Sequence, residues 1–255
     1  AKARRVAEIF WECAGGEELY RDASTQLIGL DSCHPSLAEC EPGEILLQVA
    51  VRDDVPDHIR SHFAPQLVPR VLATVPGITY LADQGRPRPS DVVGYWPALI
   101  DREHVPVRVL VGDQEVDVTP EPLRPSDRPR HEPAAIPAPP ATTGRTRRVA
   151  LSALCLGRSG DKGDTCNVGL IARSPAIYPW MRETITAEFV AERFGAMVQG
   201  GVERFEVSNL LALNFLLHGS LGGGGTLSLL LDAQGKTYAQ YLLATEVEVD
   251  ESLLT

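Results

Sequence analysis

Apolar residues recur at helical spacing in ARRVAEIFWECA, where Val6, Ile9, Phe10 and Cys13 fall on one stripe. STQLIGLDS and EILLQVAVRD then read as strands. Helical spacing returns in DHIRSHFAPQLVPRVLATV through Ile59, Phe63, Leu67 and Val71, with Pro65 and Pro69 predicting a break or kink. VVGYWPALI and VPVRVLV follow as strands joined near 101-DREH-104. The resulting αββαββ order suits a sheet with helices on one face.

A second patterned region begins at RRVALSALCL, an apolar strand, followed by the polar stretch 157-GRSGDKGDTCN-167 and a strand of similar kind, NVGLIA. ITAEFVAERFGAMV is the clearest helix, with Thr186 as cap and Phe189, Val190, Phe194 and Val198 facing inward. VERFEVS reads as strand, LLALNFLLHG as helix or strand, TLSLLLD as strand, and GKTYAQYLLATEVEV as a strand or a short helix running into one. Eight of the 20 prolines lie between Thr119 and Ala141, which predicts an extended, semi-rigid linker. The expected fold is α+β, with two α/β sandwich units, the second ferredoxin-like: residues 1–118, a proline-rich linker at 119–146, and residues 147–255.

Composition narrows the partners. The chain has 255 residues and a net charge of -10, with its 24 Lys and Arg scattered, so no basic stripe for nucleic acid is present. Its longest apolar runs, such as 209-NLLALNFLLHG-219, fall short of the roughly 20 residues that cross a bilayer. The five cysteines show neither CxxC pairing nor zinc spacing, which fits reduced thiols in a cytoplasm. The charged amphipathic start at Ala1 reads as the middle of a helix, which leads to the expectation of a piece of a longer polypeptide.

Two stretches carry candidate chemistry. In GRSGDKGDTCN, glycines at 157, 160 and 163 let the backbone approach a ligand, and successive amides could form an anion nest. Lys162 would add a charge at its rim, Asp161 and Asp164 could orient that lysine, bind a divalent cation or act as a base, and Asn167 stands at the strand entrance. The same residues also fit a long hairpin turn with Asp161 and Asp164 bonded to backbone and Lys162 solvated. Neither GxxxxGK[ST] nor GxSxG is present, which argues against a nucleotide triphosphate loop and a serine hydrolase. In 218-HGSLGGGGT-226, amides from Gly222, Gly223, Gly224 and Gly225 could line an oxyanion site, and His218 suits proton transfer near neutrality. A packed glycine turn beside a core histidine is the bland alternative.

Other candidates carry less. His58 and His62 lie at i, i+4, but the HExxH glutamate and a third ligand are missing, which favours a solvated helix face. His34, with Asp31 and Cys33 nearby, fits a turn or a strand-end site, and Tyr95 and Trp96 read as core or interface aromatics.

The succession LGRSGDKGDTCNVGLIAR, then a helix, then VERFEVSNLLALNFLLHGSLGGGGT and GKTYAQYLLATEVEV, resembles the carboxyl-terminal domain of the acyclic terpene utilisation (AtuA-like) family over roughly Arg148 to Asp250. RRVAEIFWE, LIGLDSCH and VVGYWPALI look like the end of that family's large amino-terminal domain. The resemblance implies a ferredoxin-like second domain, a large domain lying mostly before Ala1, and a place in the catabolism of branched acyclic carboxylic acids that travel as coenzyme A thioesters. It transfers no catalytic residue. Residues and resemblance together lead to an expectation of hydratase, dehydratase or lyase chemistry on acyl or acyl-CoA carboxylates. On that expectation Lys162 meets a carboxylate or thioester oxygen, Asp161 or Asp164 orients or holds a cation, the glycine amides meet an enolate oxygen, and His218 moves the proton. The alternative is a noncatalytic assembly module in a homo-oligomer, since ferredoxin-like sheets often join across exposed edges.

Overall fold

The computed structural model describes residues 1–30, 32–35, 42–81, 85–95, 98–118, 135–139 and 141–254. Helix α1 (Lys2–Ala14) buries Val6, Ala7, Phe10, Trp11 and Ala14. The stripe is turned by one position from the predicted one, because Trp11 and Phe10 both enter the core and leave Cys13 exposed. Strands β1 (Asp22–Ile28) and β2 (Leu46–Arg52) pair antiparallel with Asp22 opposite Arg52. Helix α2 (Pro56–His58), a π turn over Ile59–Phe63 and α3 (Ala64–Ala73) follow one another without a break. Pro65 falls in the first turn of α3, just after that wide turn, where the Ala64 N–H reaches back to the Ile59 carbonyl, and Pro69 lies inside α3, which runs on past it to Ala73. Phe10, Trp11, Tyr20 and Phe63 close this unit, with Phe10 packed edge-on against Trp11 at 5.1 Å and against Phe63 at 5.3 Å.

The rest of the first unit departs from the one-sheet expectation. Residues 92–95 and 98–100 of VVGYWPALI form no strand, Tyr95 is exposed, and Trp96 lies outside the described residues. Strands β3 (Val107–Val111) and β4 (Gln114–Val118) instead make a separate exposed hairpin. Most of the proline-rich linker also lies outside the described residues.

In the second unit, β5 (Thr146–Ala150) stops at a 3-10 turn, so RRVALSALCL splits between it and β6 (Cys155–Lys162). Strand β6 pairs with β7 (Thr165–Ala172), and then come helices α4 (Ile177–Thr184) and α5 (Ala187–Phe194). The predicted cap holds: Thr186 Oγ1 accepts from the Phe189 N–H at 3.1 Å. Strands β8 (Val202–Val207) and β9 (Ala212–Leu217), helix α6 (Tyr238–Leu243) and β10 (Glu246–Asp250) complete the chain. TLSLLLD, expected as a strand, forms turns, because the Leu229 carbonyl and Leu231 N–H bond to the Gln26 side chain instead of a neighbouring strand.

The four-stranded antiparallel sheet has the order β6-β7-β9-β8. Strands β7, β8 and β9 occupy the places of the first three strands of a βαββαβ ferredoxin-like unit. The fourth place is taken by β6, while β10, the strand after the second helix, pairs with β5. Cys166, Val168, Leu170, Leu213, Phe215 and Leu217 turn one face of the sheet into the core, against Tyr178, Met181, Val190, Phe194, Tyr238 and Leu242 of the helices. The opposite face carries Lys162, Thr165, Asn167 and His218, and exposes Leu156, Ile171 and Phe205.

Asp250 ties off the end of β10. Its carboxylate accepts from the N–H groups of Thr143, Gly144 and Ser252 and from the Thr143 hydroxyl. These bonds, that of the Thr143 N–H first, hold its carboxyl well below the usual aspartate range. Stability from a lowered carboxyl is complete above the unfolded value of about 3.9 and is lost as pH falls toward the folded one. An acid titration followed by circular dichroism is therefore expected to fall less steeply below about pH 4 for Asp250→Ala than for wild type. Parallel curves would overturn this.

Candidate functional site

GRSGDKGDTCN is not a loop but most of a β-hairpin, with Lys162 opposite Thr165 and only Gly163 and Asp164 between the strands. Gly163 takes a left-handed φ of 68°, which a two-residue connection of this kind requires at its first position. In an antiparallel ladder, opposite residues share a face. Cys166 faces Leu217, so the next row out brings Lys162, Thr165 and His218 together on the face away from the helices.

His218 is held at both ring nitrogens. Nε2 lies 2.6 Å from Glu203 Oε1 on β8, and Nδ1 lies 3.1 Å from Thr165 Oγ1 on β7. An ionised carboxylate only accepts, so Nε2 carries a proton, and in the tautomer that bears its proton there alone the Nδ1 lone pair faces the Thr165 hydroxyl. The ring is about one-third exposed, at 35%, open enough for a small reactant. Carboxylate, imidazole and hydroxyl thus form one relay across three strands, with Lys162 on the fourth.

Beneath the row, the two glycine-rich motifs grip one another. Asp164 Oδ1 accepts from the N–H groups of Gly223 at 2.7 Å and Leu221 at 3.2 Å, and the Ser220 N–H donates to the Asp164 carbonyl. An amide nest exists, and the anion in it is Asp164 itself. Gly224 is buried and left-handed, and a Cβ there would sit 3.0 Å from Gly163 backbone atoms, so only glycine lets the loop close on the hairpin tip. Ser220 is buried below, accepting from the Cys166 N–H and donating to the Leu217 carbonyl. Tyr238 donates to the Ser220 carbonyl at 2.6 Å, and burial pushes its phenol well above the usual range.

The first unit reaches the same segment. Arg52, paired with Asp22, donates to the Leu227 carbonyl at 3.3 Å, while buried Gln26 donates to Leu229 and accepts from Leu231. The glycine segment is therefore held between the hairpin tip and β1–β2.

Other predicted residues lie outside the relay or beside it. Lys162 is exposed and donates to the Asp161 carbonyl, Asp161 lies 4.0 Å from Lys236, and Asn167 donates to Asn214 at 2.7 Å. Gly160 stands opposite Asn167, Gly222 is left-handed, and Gly225 is exposed. Asp161 and Asp164 belong to no cluster of three ion-binding side chains; among the described residues such a cluster forms only at exposed Asp101, Glu103 and His104. His58 pairs with Asp53 at 3.1 Å, its ring 6.3 Å from that of His62. His34 stacks on Tyr241, Cys33 is half-buried, and Asp31 lies outside the described residues. Sequence reading missed Thr165 and Glu203, since only the strand register brings them to His218.

Comparison with known families agrees with this architecture. Residues 1–111 match the acyclic terpene utilisation family protein AtuA, and residues 149–248 match the AtuA ferredoxin-like domain. The chain belongs to the AtuA-like family and carries a carboxyl-terminal ferredoxin-like domain. That membership supports a role in acyclic terpene utilisation. No curated protein and no solved structure matches the chain. No helix among the described residues is long and apolar enough to cross a membrane.

Proposed function

We propose that the ferredoxin-like unit, taken as residues 147–255, carries a proton-transfer site for branched acyl carboxylates or their coenzyme A thioesters, working by hydration, dehydration or lyase chemistry. The observation that carries the reading is the Glu203–His218–Thr165 relay, with Lys162 opposite Thr165. His218 Nδ1 moves the proton, with Glu203 fixing the ring and stabilising its charged form. Lys162 draws the substrate carboxylate or thioester oxygen, while Asp161, on the other face of β6 near Lys236, stands apart from it. The amides of Leu221 and Gly223 are occupied by Asp164, so an enolate oxygen finds Lys162 first.

A second reading, an assembly module in a homo-oligomer, is favoured by the close packing of Gly224 on Gly163 and by the grip of Arg52 and Gln26 on the same segment. Turnover separates the two. With branched enoyl-CoA and hydroxyacyl-CoA substrates, His218→Gln is expected to lower kcat about a hundredfold and Lys162→Ala to act mainly on KM. Unchanged turnover in both folded variants would leave the assembly reading in its place.

A further inference from the structure

His218 Nδ1 is bonded to the Thr165 hydroxyl and Nε2 to Glu203, so besides the proton transfer at Nδ1 this relay can present the Thr165 hydroxyl to a substrate. The other nucleophiles of the motifs are spent or turned away. Ser220 Oγ is buried between Leu217 and the Cys166 N–H. The Cys166 thiol faces the core, and the Lys162 amine donates to the Asp161 carbonyl. Thr165 is half-buried on the open face, and its Oγ1 meets a base that a carboxylate orients in turn. A hydroxyl, a base within hydrogen-bond reach and a third group that orients the base are the geometric signature of an activated nucleophile.

We infer that Thr165 is an acyl-accepting nucleophile and that this row carries out acyl transfer from a thioester, an activity additional to hydration or lyase chemistry. The inference rests on the reading of the row as an acyl site. In the first half, Thr165 Oγ bonds to the thioester carbonyl carbon as its proton passes to His218 Nδ1. The carbon–sulfur bond breaks and the departing thiolate takes that proton, leaving an ester on Thr165 and a free thiol. In the second half, water gives a proton to Nδ1 and its oxygen bonds to the ester carbonyl; Thr165 leaves with the proton and the free acid is released. The ammonium of Lys162, on the strand opposite Thr165, faces the oxyanion of both tetrahedral intermediates.

The test uses the intact chain with p-nitrophenyl isovalerate and isovaleryl-CoA, followed by rapid acid quench, intact mass and peptide mapping. One acyl increment is expected on the peptide carrying Thr165. Thr165→Ser keeps it, while Thr165→Ala and His218→Gln lower its rate of formation about a hundredfold. An unlabelled wild type, or full labelling of Thr165→Ala, overturns the inference. If wild type is unlabelled while His218→Gln still abolishes hydration, acyl transfer alone falls. If Thr165 is labelled while His218→Gln leaves hydration untouched, the proton-transfer reading falls and acyl transfer stands.

Discussion

Gly235→Ala is expected to destabilise the protein by about 2–5 kcal/mol, and Cys166→Ala is expected to restore much of that loss. Gly235 is buried at a left-handed φ of 61°, and a Cβ there would lie 2.5 Å from Cys166 Sγ. Left-handed backbone costs an alanine about 1–2 kcal/mol, and forcing a methyl into a packed core adds about 1–3 kcal/mol. With the sulfur removed, the nearest remaining atoms are Leu221 Cδ2 at 3.2 Å and Cys166 Cβ at 3.4 Å, so the clash goes and the backbone strain stays. Urea denaturation of the two single variants and the double variant measures the coupling. Additive single effects, or a Gly235→Ala variant as stable as wild type, would show that the sulfur is not what excludes a side chain.

The same crowding explains why the hairpin was hard to read. In β6 the inward positions are Cys155, Gly157, Ser159 and Asp161, small or polar where an alternating strand would show large apolar residues. Helix α6 presses there: a Cβ on Gly157 would lie 3.0 Å from Leu243 Cδ1, and Ser159 Oγ accepts from the Ala239 N–H at 2.9 Å. Tertiary contact erased the period-two signal, although Gly163-Asp164 is itself a recognisable two-residue turn. Helix α5 was legible because its cap and its apolar face are both local. TLSLLLD was not, since the partners of its backbone are on Gln26, some two hundred residues earlier, at separations of 203 and 205.

For the site, residue chemistry singled out Lys162 and His218, and the fold adds the partners. Glu203 sits 15 residues from His218 in a strand whose sequence, VERFEV, looks like an ordinary surface edge. Thr165 lies 53 residues away and belongs to the motif itself. The strand ladder makes them neighbours, because β9 runs between β7 and β8. Glycine-rich motifs that resemble a ligand cradle in one dimension turn out to be largely occupied with each other. What they position is the row above them.

Asp164 gives the sharpest division between chemistry and architecture. Asp164→Ala removes the acceptor of the Leu221 and Gly223 N–H groups and is expected to cost about 2–3 kcal/mol, held to that range because solvent reaches the carboxylate and can take over the Gly223 bond. Asp164→Asn keeps a carbonyl oxygen in the same place and is expected to cost about 1 kcal/mol. The charge is what a base or a cation site would need, and the oxygen is what the loop needs. Turnover of Asp164→Asn is therefore expected to stay within about threefold of wild type, while Asp164→Ala loses stability and turnover together as the row above loosens. Were Asp164→Asn as stable as expected but inactive, the carboxylate would belong to the chemistry, and His218 would not be its sole proton carrier.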